Sequence, residues 1–384
     1  TILAFDKDHK EYDMSVVGCD EHIAVAKEVA EKGITLIKNN GVLPLKKDEI
    51  KKLAVIGKLG NVANIGDHGS SWVRPPYVVT PEEGLKKANT GCEVVFNDAS
   101  DLESAKALAK EADAVVFVVG YNHDDEGEFI SEDQSENYIG SMGGDRKKSL
   151  GLHEDEVKLL QEVGPVNDKS TVVLIGGNMI MMTEWYGCVN AVMMAYYPGM
   201  EGGTAIAEII YGDVNPSGKL PYVVPYSEDD LPHVDWEATD QYYEYYHGYT
   251  RLEKNGVKPL IPYGYGLSYT TFEITDPKAE TDGTNLKVRA KVKNTGDQDG
   301  DEVVQVYVGF EHSAVDRPVK QRRGFQRVSL KAGEEKVVEI VTPLEKLKWY
   351  NPVYREWQLE HMEYPIYVGS SSAEEDLKKT NITL

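Results

Sequence analysis

An α/β layered sandwich followed by an all-β sandwich is the architecture this 384-residue sequence predicts, and three observations predict it. Strand and helix signals alternate along the first two thirds of the chain. The strand runs there are apolar throughout, as expected for strands buried on both faces of a mainly parallel sheet. Beyond about residue 276 the apolar period switches to two, the mark of strands with one wet face.

The elements follow in order. "CDEHIAVAKEVAEKGITLIKNNG" sets Ile23, Ala24, Ala26, Val29 and Ala30 on one helical face, with Asp20 and Glu21 as start signals and Gly33 as the stop. The strand runs are "KLAVIG" (52–57), "CEVVFND" (92–98), "ADAVVFVVG" (112–120), "TVVLIGG" (171–177) and "AVMMAYYP" (191–198). Between them lie the amphipathic helices "DLESAKALAKEA" (101–112), "HEDEVKLLQEV" (153–163) and "EGGTAIAEIIYG" (201–212). Residues 212–280, rich in Tyr, Pro and Gly, read as a wrapping connection. After it, "NLKVRAKVKNTGDQDGDEVVQVYVGF" (285–310) and "RRGFQRVSLKAGEEKVVEIVTP" (322–343) alternate about tight turns, and "EYPIYVGSSS" (363–372) closes an all-β unit over 281–384.

Composition narrows the function classes. Hydrophobic residues make up 41 % and charged residues 27 %, the balance of a folded globular chain, and no apolar run approaches the roughly 20 residues that span a bilayer. No membrane partner is expected. A formal charge of −23 argues against nucleic acid, whose affinity depends on Lys and Arg replacing counterions. Such an acidic balance also fits a salty habitat. Cys19, Cys92 and Cys188 are odd in number and widely spaced, and read as free, mostly buried thiols.

Motif by motif, most chemistries fall away. Gly57, Gly60 and Gly66 lack the spacing of a dinucleotide fingerprint, and the nine histidines include no H-x-x-x-H pair for zinc. No Gly-x-Ser-x-Gly elbow is present, and "DQDGDE" (297–302) reads as a plain hairpin turn. No cofactor is expected. What remains is "YNHDDEGEFISEDQSENYIGSMGGDRKKSL" (121–150), which places eight carboxylates at the end of a buried strand. Connections of this kind usually take about 2–6 residues, and ligands of open α/β sheets bind beyond the carboxyl ends of the strands. Composition alone favours a solvated acidic loop. Aromatic candidates for sugar stacking are Trp72, in "HGSSWVRPPYVV" (68–79), and the run "YYEYYHGY" (242–249).

Six ordered motifs resemble one family across the whole chain: "VAKEVAEKGITLIKNNGVLPL", "DHGSSWVRPPYVVTPEEGL", "DEGEF…GGDRKKSLGL", "YYPGMEGGTAIAEIIYGDVNPSGKLPYVVP", "IPYGYGLSYTTF" and "RPVKQRRGFQRVSLKAGEEKVVEI". Together they look like the second and third domains of family 3 glycoside hydrolases, typified by β-glucosidases. The resemblance implies a six-stranded, mostly parallel α/β sandwich over 21–211, then a fibronectin type III-like (immunoglobulin-like) sandwich. It also implies a (β/α)-barrel, as a domain or a separate chain, carrying the nucleophilic Asp; residues 1–20 read like the linker leaving it. The substrate would be a β-glucoside or related oligosaccharide.

On this match Glu126 takes the general acid/base role, with Glu128, Glu132 and Glu136 as alternatives on the same loop. Asp145 and Arg146 would hold the loop. Trp72 matches an aromatic wall of the leaving-group site, with Ser70 and Ser71 in the small-residue turn beside it. Retaining hydrolysis needs two carboxyl groups about 5–5.5 Å apart, one a nucleophile and one an acid and then a base. Acid duty near neutrality would call on burial or on the like charges of Asp124, Asp125 and Glu128. The competing reading is a non-catalytic carbohydrate-binding or scaffolding module using Trp72 and the tyrosine run, and a nucleotide-linked enzyme is the weakest. Secretion or the periplasm is favoured over the cytoplasm, and a homo-oligomer is compatible with the sequence.

Overall fold

Six strands form the first sheet in the computed structural model, which describes residues 13–128, 146, 149–235 and 238–384. They are β1 (Thr35–Asn39), β2 (Lys52–Ile56), β3 (Glu93–Asn97), β4 (Ala114–Gly120), β5 (Ser170–Ile175) and β6 (Ala191–Tyr196), in the order β1-β6-β5-β4-β2-β3. All neighbours pair in parallel except β1, which runs antiparallel to β6. Five strands are those the apolar runs predict. The sixth, β1, follows directly on a helix with no turn cluster to announce it, so periodicity alone does not separate it.

Alternate residues of each strand feed opposite cores. Val115, Phe117 and Val119 of β4 pack on one face with Val172 and Leu174 of β5; Val116 and Val118 pack on the other with Val173 and Ile175. This is why the runs are apolar without alternation. Among the described residues, five helices belong to these two layers: α1 (Asp20–Gly33), α2 (Pro81–Ala88), α3 (Leu102–Glu111), α5 (Glu154–Val163) and α6 (Gly202–Tyr211); a short α4 (His123–Glu126) lies in the loop after β4. The helix α1 forms where its capping signals place it, yet only Ala30 of its apolar face is buried, and Val25 and Val29 stay 56 % and 65 % exposed. The three cysteines are free but half-buried, less enclosed than the sequence suggests.

The connection folds back onto the sheet. Its Leu267 N–H donates to Leu36 O at 2.8 Å, covering the outer edge of β1, and it includes the helix α7 (Gly248–Asn255). Pairing an edge in this way removes a template for aggregation. The second unit begins earlier than its alternating runs indicate, with β7 (Phe272–Thr281), and ends with a strand, β15 (Leu377–Thr383), that the sequence reading leaves out. Between these lie β8 (Asn285–Asn294), β9 (Gly300–Gly309), β10 (Lys320–Leu330), β11 (Glu335–Pro343), the hairpin β12 (Trp349–Asn351) with β13 (Glu356–Gln358), and β14 (Glu363–Gly369). A sheet β10-β9-β14-β15 faces a sheet β11-β8-β7. Leu286, Val288, Ala290 and Val292 from one meet Val304, Val306, Val308, Ile366 and Val368 from the other.

Polar contacts tie the two units together. Lys219 Nζ pairs with Glu302 at 2.8 Å with both side chains largely buried, the Arg327 guanidinium, held within its own sheet by Asp301 at 2.7 Å, donates across to the Ser217 hydroxyl, and Gln305 Nε2 donates to Gly264 O at 2.9 Å.

Two predictions follow from this packing. Helices α2 and α6 cross backbone to backbone: Gly203 N–H donates to Val79 O at 3.0 Å, and a Cβ on Gly203 would collide with Thr80 O. Gly203→Ala should lower the urea midpoint with an unchanged m value, corresponding to a loss of about 1–3 kcal/mol of stability, as overpacking does. Glu156, in the first turn of α5, is 4 % exposed; its Oε1 accepts the Gly120 N–H at 3.1 Å and its Oε2 has no partner among the described residues. Burial pushes its carboxyl from the ordinary 4.5 up to about 7. Between those values the folded chain holds a proton that the unfolded chain has released, so stability falls as pH rises through that window. Denaturation of Glu156→Gln at pH 8 should show a gain of roughly 1–3 kcal/mol over the parent, shrinking to nothing by about pH 4.5.

Candidate functional site

The sheet order reverses between β2 and β4: from β2 the chain moves outward to β3, and from β4 it moves the other way through β5 to β6. Loops leaving the carboxyl ends of adjacent parallel strands diverge at such a point and leave a crevice, where ligands of open sheets bind. The loop after β2 carries Trp72 and the loop after β4 carries Glu126. The topology brings together two stretches about fifty residues apart in sequence.

Strand β4 ends at Gly120, whose φ of 131° and close approach to Ile175 O exclude a side chain. Tyr121 then turns inward and its hydroxyl donates to Gly151 O. Asn122 caps α4 by accepting the Asp124 N–H at 2.8 Å, while Asp125 Oδ2 accepts the Asn122 N–H at 3.1 Å. This reciprocal pair sets the turn that ends on Glu126.

Glu126 points inward. Its Oε1 accepts the Tyr197 hydroxyl at 2.7 Å and the Gly177 N–H, and Arg146 Nε lies 3.3 Å from its Oε2. The carboxylate side chain is 13 % exposed and the Arg146 side chain 8 %. The Arg146 guanidinium also stacks 4.4 Å over the Tyr121 ring. Burial, then the bond to Glu126, pushes the Tyr197 hydroxyl far above its ordinary range, so it stays a donor. Donors, and not the carboxylates of Asp124, Asp125 and Glu128, are therefore the immediate neighbours of Glu126. Asp125 turns instead to His153, 3.0 Å away.

Past Gly127 the chain docks on the Trp72 loop. Glu128 N–H donates to Asp67 Oδ1 at 2.8 Å, and Glu128 Oε2 accepts the Ser70 N–H. Asp67 Oδ2 accepts the Ser71 hydroxyl at 2.9 Å. Burial opposes ionisation of Asp67, but the Glu128 N–H and the Ser71 hydroxyl outweigh it and hold the group below the usual carboxylate range. Rings join the two loops as well: His68 stacks on His123 at 3.5 Å and on Trp72 at 4.7 Å, and the Arg74 guanidinium sits 4.0 Å over Trp72. Burial, with His123 adding to it, lowers the His68 pKa and favours the neutral ring.

The residues the sequence singles out thus fall into two adjoining groups. Glu126 and Arg146 form one; Ser70, Ser71, Trp72 and Glu128 form the other. Asp145, Glu132 and Glu136 lie outside the described residues. The tyrosine run is elsewhere, beside α7, with Tyr246 bonded to Asp316 at 2.8 Å. Sequence reasoning passed over Tyr197, Gly177, His68 and His123. Tyr197 stands in the quoted "YYPG" and Gly177 in "TVVLIGG", each at the carboxyl end of a neighbouring strand, which is the signal that would have found them.

Comparison with known proteins bears on the family and the fold. Residues 34–269 match the glycosyl hydrolase family 3 C-terminal domain and residues 302–372 match a fibronectin type III-like domain. The chain is 34 % identical to a β-xylosidase of Formosa agariphila, over 99 % of this chain and 53 % of that protein, and 32 % identical to thermostable β-glucosidase B of Acetivibrio thermocellus, over 97 % and 49 %. The structure of a Bifidobacterium adolescentis GH3 β-glucosidase superposes with a TM-score of 0.83 at 28 % identity, covering 100 % of this chain and 56 % of that one. The chain thus spans about half the length of the relatives it matches. It belongs to glycoside hydrolase family 3, of which it carries the C-terminal α/β sandwich followed by the fibronectin type III-like domain.

Proposed function

We propose that this chain is the acid/base-bearing part of a retaining, exo-acting β-glycosidase of β-glucosidase type, working with a (β/α)-barrel that supplies an Asp nucleophile. The observation that carries the reading is the placement of Glu126 at the switch-point crevice, on a turn held by Arg146, Tyr197 and Gly177. The names of its relatives support the substrate class, a terminal β-linked sugar.

In the first step Glu126 gives its proton to the glycosidic oxygen as the bond to the anomeric carbon breaks and the Asp carboxylate bonds to that carbon. In the second, the Glu126 carboxylate takes a proton from the water that displaces the Asp and releases the sugar. Tyr197 and Arg146 fix the direction of the carboxyl group. Trp72 walls the leaving-group side with Ser70 and Ser71 in the adjoining turn. Its ring is covered by His68 and Arg74, so a stacked sugar has to displace the exposed Arg74.

In the complete enzyme, Glu126→Ala should cut turnover of unactivated β-glucosides by about 10²–10⁴-fold. A dinitrophenyl glucoside, whose leaving group needs no proton, should still form the glycosyl-enzyme, and azide should restore its turnover as glycosyl azide. Unchanged turnover of unactivated substrates would sink the assignment, and the same losses in Glu128→Gln alone would move it two residues on. Tyr197→Phe should lose about tenfold on poor leaving groups and little on good ones, the energy of one hydrogen bond spent on orientation.

A further inference from the structure

On the far domain, two grooves of about 590 and 540 Å³ share Arg323 and Lys346 as lining residues and so form one extended trough. It runs from β10 and β11 to the β12–β13 hairpin. Three aromatic side chains stand in it with their rings open to water: Phe325 is 59 % exposed, Trp357 62 % and Tyr350 46 %, the last two edge to face at 5.6 Å.

The charge of the trough runs against that of the molecule. Its acidic residues are already neutralised: Glu339 is held by Arg289, Asp316 by Lys254 and Glu345 by Lys348. Among the described residues, Arg322, Arg323 and Lys346 have no carboxylate within ion-pair distance. Arg322 lies over Phe325 at 4.9 Å, and Arg323 donates only to the neutral Gln321, with its Nε–H buried and unpartnered. Burial, and then the charge of Arg317, act against the Arg323 cation, so an anion in the trough would relieve it. Three uncompensated cations on a chain of net −23 form a local site for negative charge.

From the open aromatic rings, the uncompensated cations and the length of the trough, we propose that it is a binding site for an acidic polysaccharide, a polymer of sugar rings bearing carboxylates. Ring faces stack on Trp357, Tyr350 and Phe325, and carboxylates meet Arg322, Arg323 and Lys346. Each kind of contact alone fits many ligands; their combination in one extended trough fits a chain of sugar rings with apolar faces and charges at intervals. The site is independent of Glu126 and needs no turnover.

Affinity electrophoresis of the protein in gels containing polygalacturonate, glucuronoxylan or neutral xylan tests it. Retardation by the two acidic polymers should exceed that by xylan, weaken with added salt, and persist in Glu126→Ala. Trp357→Ala should weaken it at least tenfold, and so should Arg322→Ala combined with Lys346→Ala, each with an unchanged circular dichroism spectrum. Equal retardation by neutral xylan, no retardation, or retention of binding in both variants overturns the proposal. So does full competition by a DNA oligomer, which would make the trough a general anion site, or a dimer dissolved by Trp357→Ala, which would make it a contact between copies.

Discussion

The middle of a sheet buried on both faces has no place for a charge, and much of this structure follows from that constraint. Val115 to Val119 are fully enclosed between two cores, so the first positions where β4 can present a polar side chain lie beyond Gly120. The same holds for β2 and for β5. Polar side chains of these strands are displaced to the carboxyl rim, and the reversal of strand order between β2 and β4 decides which two loops share it.

The rim is organised by hydrogen bonds as much as by shape. The Asn122–Asp125 capping pair ends the turn on Glu126, the end of β5 offers the Gly177 N–H, and the end of β6 offers the Tyr197 hydroxyl. Four strands therefore contribute to one small region: β2 through its loop, β4, β5 and β6 through their ends. A carboxylate so surrounded is held in direction, and its neighbours are mostly donors. Glu156 lies beneath this rim and bonds the last residue of β4. Its buried carboxyl is the cost of anchoring a strand end through a side chain and not through the ladder.

The second domain has a different economy. Its strands alternate, one face in the core and one in water, so side chains of any kind can line its surface. That freedom is what permits an aromatic and cationic trough on an acidic molecule. The bonds of Arg327 to Ser217 and of Lys219 to Glu302 across the domain junction hold it against the sandwich.

Apolar runs without alternation, and then runs with it, determined both layers from sequence alone, because burial on two faces or one leaves a direct imprint on residue type. The six ordered motifs likewise led to the family. Strand β1 left no such imprint: five residues abutting a helix carry too little pattern. Nor did Tyr197, Gly177 and His68, which join Glu126 and Trp72 only because parallel strands end at one rim. The pairing of cations with carboxylates that leaves Arg322, Arg323 and Lys346 uncompensated was also invisible, since total charge says nothing about neighbours. Composition and period are local properties that a chain displays along its length; which side chains meet is decided by strand order and packing, which bring distant stretches within bonding distance.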